Sequence, residues 1–361
     1  MYTKEELSLL WLDSFDIDYK HKKVIKDELE INCNLKIMLE SLKDYIIVSL
    51  GEETYLSMKQ SLNKEYFEGI TSSLEKSKIT ALTLFSSNYP ESLRQMPFPP
   101  IVLYAKGNLE LLKTEIFAVV GSRKSIPLQM DIASNFCKTL IDAGFTLVTG
   151  IADGIDKVAI TEGLKKGKII SITAGGFDNI YPSNNKSIFE EVATKGLVLS
   201  EHPIKVKVMP HMFPIRNRLI AGLGNGCLIV SGGLKSGTMY TAEYTEEFGK
   251  TVFTIPYSIN VSCGAGCNEL IKKGSVLVTS PQEILEFYGK DCVKDEKVVL
   301  SSEEIEIISV LKNGDRHVED ICRELDKLIF EVSPLISMLE IKGLVIKSGV
   351  NTYGLTAKAE V

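Results

Sequence analysis

Residues 116–123 read IFAVVGSR, a short apolar run broken by Gly121-Ser122-Arg123, with Pro127 four residues further on. An apolar run of this length that ends at glycine, followed by a proline suited to a helix's first turn, is a buried strand turning into a helix. The unit recurs downstream. Apolar runs at 145–150 (FTLVTG), 169–175 (IISITAG), 197–201 (LVLSE), 227–232 (CLIVSG), 251–256 (TVFTIP) and 275–280 (SVLVTS) alternate with helical stretches at 127–143, 154–165, 213–223, 238–248 and 268–273. Such alternation predicts an α/β protein, a parallel sheet with helices on both faces. Ligands of these sheets bind at the carboxyl ends of the strands, where loops meet helix N-termini.

The flanks read differently. Residues 1–86 carry apolar positions at helical spacing, as in LKIMLESLKDYIIVSL and TYLSMKQSLNKEYFEGI, and predict a small all-α module. Residues 87–106 hold four prolines and predict a stiff connection. Beyond a charged linker at 291–300 (DCVKDEKVVL), helices are expected at 302–311, 317–325 and 330–342, then a hairpin through LVIKSG-VN-TYGL. Three helices and a hairpin form the winged-helix pattern. The expected organisation is a helical N-terminal domain (1–86), a sheet core (107–290) and a C-terminal winged-helix domain (300–361).

With 361 residues, 44% hydrophobic and 24% charged, the composition is that of a globular protein of two or three domains. No apolar run is long enough to span a membrane, and the start, MYTKEELSLLWLDSFDID, is too acidic for a signal peptide. A cytoplasmic protein with no membrane partner is expected, its seven scattered cysteines reduced. The net charge of −6 is uneven: −3 over 1–114, +2 over 115–290 and −5 over 291–361. From His202 to Ala242 there is no Asp or Glu, but there are Lys205, Lys207, Arg216, Arg218 and Lys235. That stretch is either an anion-binding surface or a buried segment paired with acids elsewhere.

Four segments carry chemistry. Gly121-Ser122-Arg123 follows a strand, where backbone N–H groups attract phosphate, although a plain turn reads the same way. Thr149–Asp156 places Gly150 and Gly154 at a strand-to-helix turn, with Asp153 and Asp156 as helix caps more readily than catalysts. In Phe213–Leu223, Arg216 falls on the apolar face of a helix and must have an anionic partner, either an internal acid such as Glu201 or Asp156, or a ligand phosphate. Asn217 and Arg218 point elsewhere. Ser231–Thr238 (SGGLKSGT) offers glycines, hydroxyls and Lys235 before a helix, the strongest local signal for phosphate.

Hydrolytic machinery is not legible. The four histidines (21, 202, 211, 317) are dispersed, there is no HExxH or GxSxG, and Cys263–Cys267 lacks the second pair or histidine of a zinc site. No catalytic residue, metal or cofactor is therefore expected.

Taken in order, Val120–Arg123, Thr149–Asp156, Tyr181-Pro182, Ser200–Pro203, Phe213–Leu223, Ser236–Ala242 and Gly266–Ile271 resemble the VG[ST]R, SGxAxGID, YP, SE.P, FPxRNRxIAGL, SGTxxTA and GxNxLI elements of the DNA-processing protein A (DprA/Smf) family. The resemblance covers roughly residues 90–290 and, more weakly, the terminal winged helix. The chain departs from the pattern at Ser231-Gly232 (usually an acidic–Ala pair), Asp153 (often basic), Ile160 (commonly His) and Pro256-Tyr257 (Pro-Gly). It implies an extended Rossmann-like core, single-stranded DNA as ligand, loading of the RecA recombinase during transformation or recombination, and a homodimer formed through roughly Cys263–Tyr288.

The expected phosphate- and DNA-binding set is Gly121, Ser122, Arg123, Gly150, Phe213, Arg216, Asn217, Arg218, Lys235, Ser236, Gly237 and Thr238. Arg123, Arg216 and Lys235 would hold phosphates, and Phe213 would stack on a base or lie in the core. With Lys205 or Lys207, about four phosphates would be neutralised. The competing reading is a nucleotide-binding enzyme of the nucleoside-monophosphate phosphoribohydrolase type, because Gly232-Gly233, Gly237-Thr238 and Glu243 loosely follow PGGxGTxxE. A protein-only scaffold is the third.

Overall fold

The computed structural model describes residues 2–32, 34–290 and 300–356. Most of the expected 291–300 linker, together with Cys33 and Cys292, lies outside them. The chain divides between residues 292 and 293 into two compact units.

The first unit is built on a nine-stranded sheet. Its strands are β1 (Thr80–Thr83), β2 (Val102–Gly107), β3 (Ile116–Val120), β4 (Thr146–Thr149), β5 (Ile169–Ile172), β6 (Leu197–Ser200), β7 (Gly226–Ile229), β8 (Thr251–Thr254) and β9 (Val276–Leu277). The spatial order is β1-β2-β6-β5-β4-β3-β7-β8-β9. Neighbours from β6 to β9 run parallel, whereas β2 is antiparallel to both β6 and β1. Strands β3 to β6 are wholly buried, as expected when helices cover both faces. This is a Rossmann-like arrangement, and all seven strands expected from the alternation are present.

β1 and β2 correct the reading of the flanks. β1 falls inside the region expected to be all helix, and the proline-rich connection holds β2. The prolines misled because they stop at Pro100, one residue before Ile101, so none interrupts the strand's own hydrogen bonds. The six helices between Lys4 and Lys76 also do not stand apart from the sheet. Leu9, Leu10, Trp11 and Leu12 are fully buried in the same apolar core as Phe117 and Phe253. Polar ties reinforce the packing: the Tyr104 hydroxyl donates to Asp13 (2.9 Å), and Trp11 Nε1 donates to Ser61 (2.6 Å).

The second unit has its own core of Ile307, Ile321, Val332, Ile336 and Leu339. Helices Ser302–Leu311, Val318–Leu325 and Ile329–Ile341 are joined by a three-stranded antiparallel sheet of β10 (Arg316–His317), β11 (Val345–Gly349) and β12 (Thr352–Leu355), in the order β10-β12-β11. The three helices and the hairpin fall where their spacing predicts, and β10 is additional. Among the described residues, no helix is long and apolar enough to cross a membrane.

Candidate nucleic-acid interface

After β3 the chain builds β4, β5 and β6 to one side, then crosses back to place β7 beside β3. The loops following β3 and β7 therefore diverge and leave a crevice at the strands' carboxyl ends. A cleft of about 560 Å³ occupies it. Gly121, Ser122, Arg123 and Lys124 line one side. Lys235, Ser236, Gly237 and Thr238 line the other, and Phe213, Arg216 and Asn217 come from the helix Met212–Leu223. Of the expected set, only Gly150 and Arg218 do not line it.

Serine 231 ties the two loops together. Its Oγ accepts from the Ser122 N–H (3.2 Å) and lies 2.9 Å from Ser125 Oγ. The family departure at this position thus serves as a strut. Behind it Gly154, at φ +77°, lets the helix Ile155–Lys166 start under the loop, since a Cβ there would stand 2.2 Å from the Ser122 carbonyl oxygen. On the opposite side, Asn217 Nδ2 donates to the Gly237 carbonyl (3.1 Å), fixing the second loop to the helix.

The expected basic residues separate by burial. Arg123, Lys124 and Lys235 are exposed. The Arg123 guanidinium sits 5.0 Å from the Phe213 ring centroid, and the exposed Tyr181 meets the same ring edge-on at 5.8 Å. Phe213 is half-buried at the cleft wall, so its face is not lost in the core.

Arg216 is 5% exposed and is held by the protein itself. It donates to the Ile172 carbonyl and, through Nε, to Asn217 Oδ1 (3.2 Å). Its guanidinium and the Asp156 carboxylate converge over Gly150, where a Cβ would lie 2.5 Å from Asp156 Oδ2 and 2.6 Å from an Arg216 nitrogen. Gly150 is therefore required by the close approach of these two groups and does not line the cleft. Burial pushes the Asp156 carboxyl up to about 6, opposed first by the Arg216 charge, with Arg123 a smaller opposing charge. Burial likewise lowers Arg216, and Asp156 opposes that shift. The expectation that Asp153 or Asp156 caps the helix is corrected: the N-cap is Gly154, with no side-chain cap bond.

Arg218 departs further from expectation. It forms an ion pair with Glu201, each side chain 11% exposed, away from the cleft lining. Only part of the acid-free stretch is thus an open surface, because its two arginines are internal.

Two contributors escaped the sequence reading. Lys124, beside Arg123, also lines the cleft. Lys250, next to β8, donates to the carbonyls of Ala221 (3.1 Å), Gly222 (2.5 Å) and Gly224 (2.8 Å), closing the end of the helix that carries Phe213 and Arg216. Burial lowers its ammonium to about 8. No local signal marks it, since its acceptors lie more than 25 residues earlier in the chain. Glu243, which the enzyme reading needs, is exposed and does not line the cleft. Cys263 accepts from Gln129 (3.2 Å), Cys267 is buried, and both are free thiols.

Residues 80–289 match the family model of DNA recombination-mediator protein A. The chain belongs to this family. Within the DNA recombination-mediator protein A family it is 36% identical to Protein Smf of Synechocystis over 213 residues, 58% of this chain and 54% of that protein. The chain therefore spans about half the length of that relative. It is 35% identical to DNA processing protein DprA of Bacillus subtilis over 210 residues, 58% of this chain and 71% of that one. Among solved structures of the family, DprA from Streptococcus pneumoniae superposes with a TM-score of 0.68 at 28% identity, covering 79% of this chain and 98% of that one. DNA processing protein A from Helicobacter pylori, solved for its single-stranded DNA binding mode, gives 0.54 at 30% identity over 58% of this chain and 95% of that one.

Proposed function

We propose that the cleft binds the backbone of single-stranded DNA and that the protein hands the strand to the RecA recombinase in transformation or recombination. The observation that carries this reading is the grouping of Arg123, Phe213 and Tyr181 at the mouth of a cleft whose other exposed cations are Lys124 and Lys235. Exposed cations hold phosphates of any sequence, and an aromatic face stacks on unpaired bases, worth about 1–3 kcal/mol per base. Bases inside a duplex cannot reach such a platform, so single strands are preferred. Membership of the family and the Helicobacter pylori relative's single-stranded DNA binding support the assignment. The protein acts by binding, not catalysis, as a homodimer, with the C-terminal unit as a winged-helix domain.

Fluorescence anisotropy with a single-stranded dT20 and a duplex of equal length tests it. Arg216 is buried, and neither Lys205 nor Lys207 lines the cleft whereas Lys124 does, so the cleft's phosphate contacts are Arg123, Lys124 and Lys235, which by themselves give log K against log salt a slope near −2. A fourfold rise in salt then weakens binding by about 16-fold. Equal affinity for duplex and single strand, or a slope shallower than about −1, overturns the reading. Faster RecA nucleation on a single strand when the protein is added is the expected readout of loading.

A further inference from the structure

A second basic surface lies beyond Tyr181, outside the cleft. A groove of about 690 Å³ is lined by Lys76, Lys78, Lys106 and Lys186, against the acids Asp178 and Glu190. Lys106 is partly neutralised, 3.5 Å from Glu190 and 5.4 Å from the Phe189 ring centroid. Lys76, Lys78 and Lys186 are exposed and form no ion pair among the described residues. An excess of positive charge here runs against the chain's net charge of −6. Two of the lysines come from the N-terminal helical region, which the cleft does not use: Lys76 ends the helix Lys64–Lys76 and Lys78 precedes β1.

The groove and the cleft are linked by lining residues they share with a small pocket between them. Asn179 and Ile180 line the groove and also line the small pocket under Tyr181 and Phe213. Phe213 and Arg216 in turn belong to both that pocket and the cleft. A strand whose bases stack at Phe213 and Tyr181 is thereby directed along this line. We propose that the groove is a second subsite for the same single strand, which leaves the cleft over Tyr181 and has its phosphates held by Lys76, Lys78 and Lys186. This rests on the cleft binding single-stranded DNA. The groove's exposed lining offers lysines and no exposed aromatic ring, so it contributes charge without base preference.

The test is a full-length Lys76→Gln/Lys78→Gln/Lys186→Gln variant titrated with dT4, which fills the cleft alone, and with dT20. With the groove filled, the wild-type dT20 slope is about −4, twice what the cleft alone gives; the three lost contacts return it to about −2 and weaken dT20 binding about tenfold or more near 0.15 M salt. Binding of dT4 stays unchanged, which also reports that the variant is folded. If the variant binds dT20 with wild-type affinity and slope, the groove proposal is overturned and the cleft reading stands. If the wild-type protein binds neither oligonucleotide, the cleft reading fails and the groove proposal fails with it.

Discussion

The guanidinium of Arg123 lies 5.0 Å from the centroid of the Phe213 ring, which joins the loop after β3 to the helix Met212–Leu223 at the cleft mouth. One residue supplies the charge for a phosphate and the other the face for a base. Arg123→Ala and Phe213→Ala should each weaken dT20 binding by about 1–3 kcal/mol. Because the two side chains touch, the double variant should depart from additivity by at least about 0.5 kcal/mol. Strict additivity in a double-mutant cycle would show that they bind independently.

Arg216 should behave as part of the fold. Arg216→Ala removes the buried guanidinium that opposes the rise of Asp156 and leaves the Ile172 carbonyl without its donor, which costs about 1–3 kcal/mol. Urea denaturation should show that loss. A variant of wild-type stability that has lost DNA binding would instead return Arg216 to the ligand.

The Arg218–Glu201 pair leads to a different expectation. Glu201 Oε1 and Arg218 NH1 are buried without a hydrogen-bond partner, so the pair's desolvation is poorly compensated. Arg218→Ala alone should destabilise strongly. Replacing both, as Arg218→Met with Glu201→Leu, should be neutral or stabilising by up to about 4 kcal/mol. Denaturation of the two variants side by side decides it, and a double variant weaker than the single would sink the idea.

The pH dependence follows from Asp156. Burial raises its carboxyl from 3.8 to about 6, so the folded protein keeps a proton that the unfolded chain has released. That difference favours the fold at low pH, and it is lost as pH rises from about 4 to about 6. Relative to Asp156→Asn, the unfolding free energy should therefore fall across this window, by up to about 3 kcal/mol, and stay level from pH 7 to 8. A constant difference from pH 4 to 6 would mean that the carboxyl is not perturbed.

The C-terminal unit should contribute little to gripping the strand. Its last helix, Ile329–Ile341, carries Glu331 and Glu340, and the adjacent Lys342 is bound to Glu304 at 2.6 Å. A helix seated on DNA needs the opposite charge balance. Ending the chain at residue 292 should leave dT20 affinity within a few-fold. A hundredfold loss would assign this unit a direct grip.

What the sequence determined by itself was local. IFAVVGSR and its six successors announce strands because short apolar runs stopped by glycine, proline or a polar residue are legible over a handful of residues. The loops of the cleft were legible for the same reason: SGGLKSGT must sit where a strand ends, and in a parallel sheet such ends meet at one edge. β1 was not legible because it is a four-residue strand at the end of a helical-period stretch, and β2 because four prolines dominate the pattern before it and only its pairing with β6 shows that they stop in time. The fate of the arginines was decided only by the tertiary structure. Helical periodicity puts Arg216 on the apolar face, but whether it meets a phosphate or Asp156 depends on Gly150, more than sixty residues earlier, admitting both groups. Lys250 is the same case, its three acceptors supplied by a helix end that chain folding brings to it. Period and turn chemistry act between near neighbours, whereas burial is set by what distant segments pack around a group. Burial strips a cation of water, and a cation so stripped must be held by the protein, whereas one left hydrated stays available to a ligand.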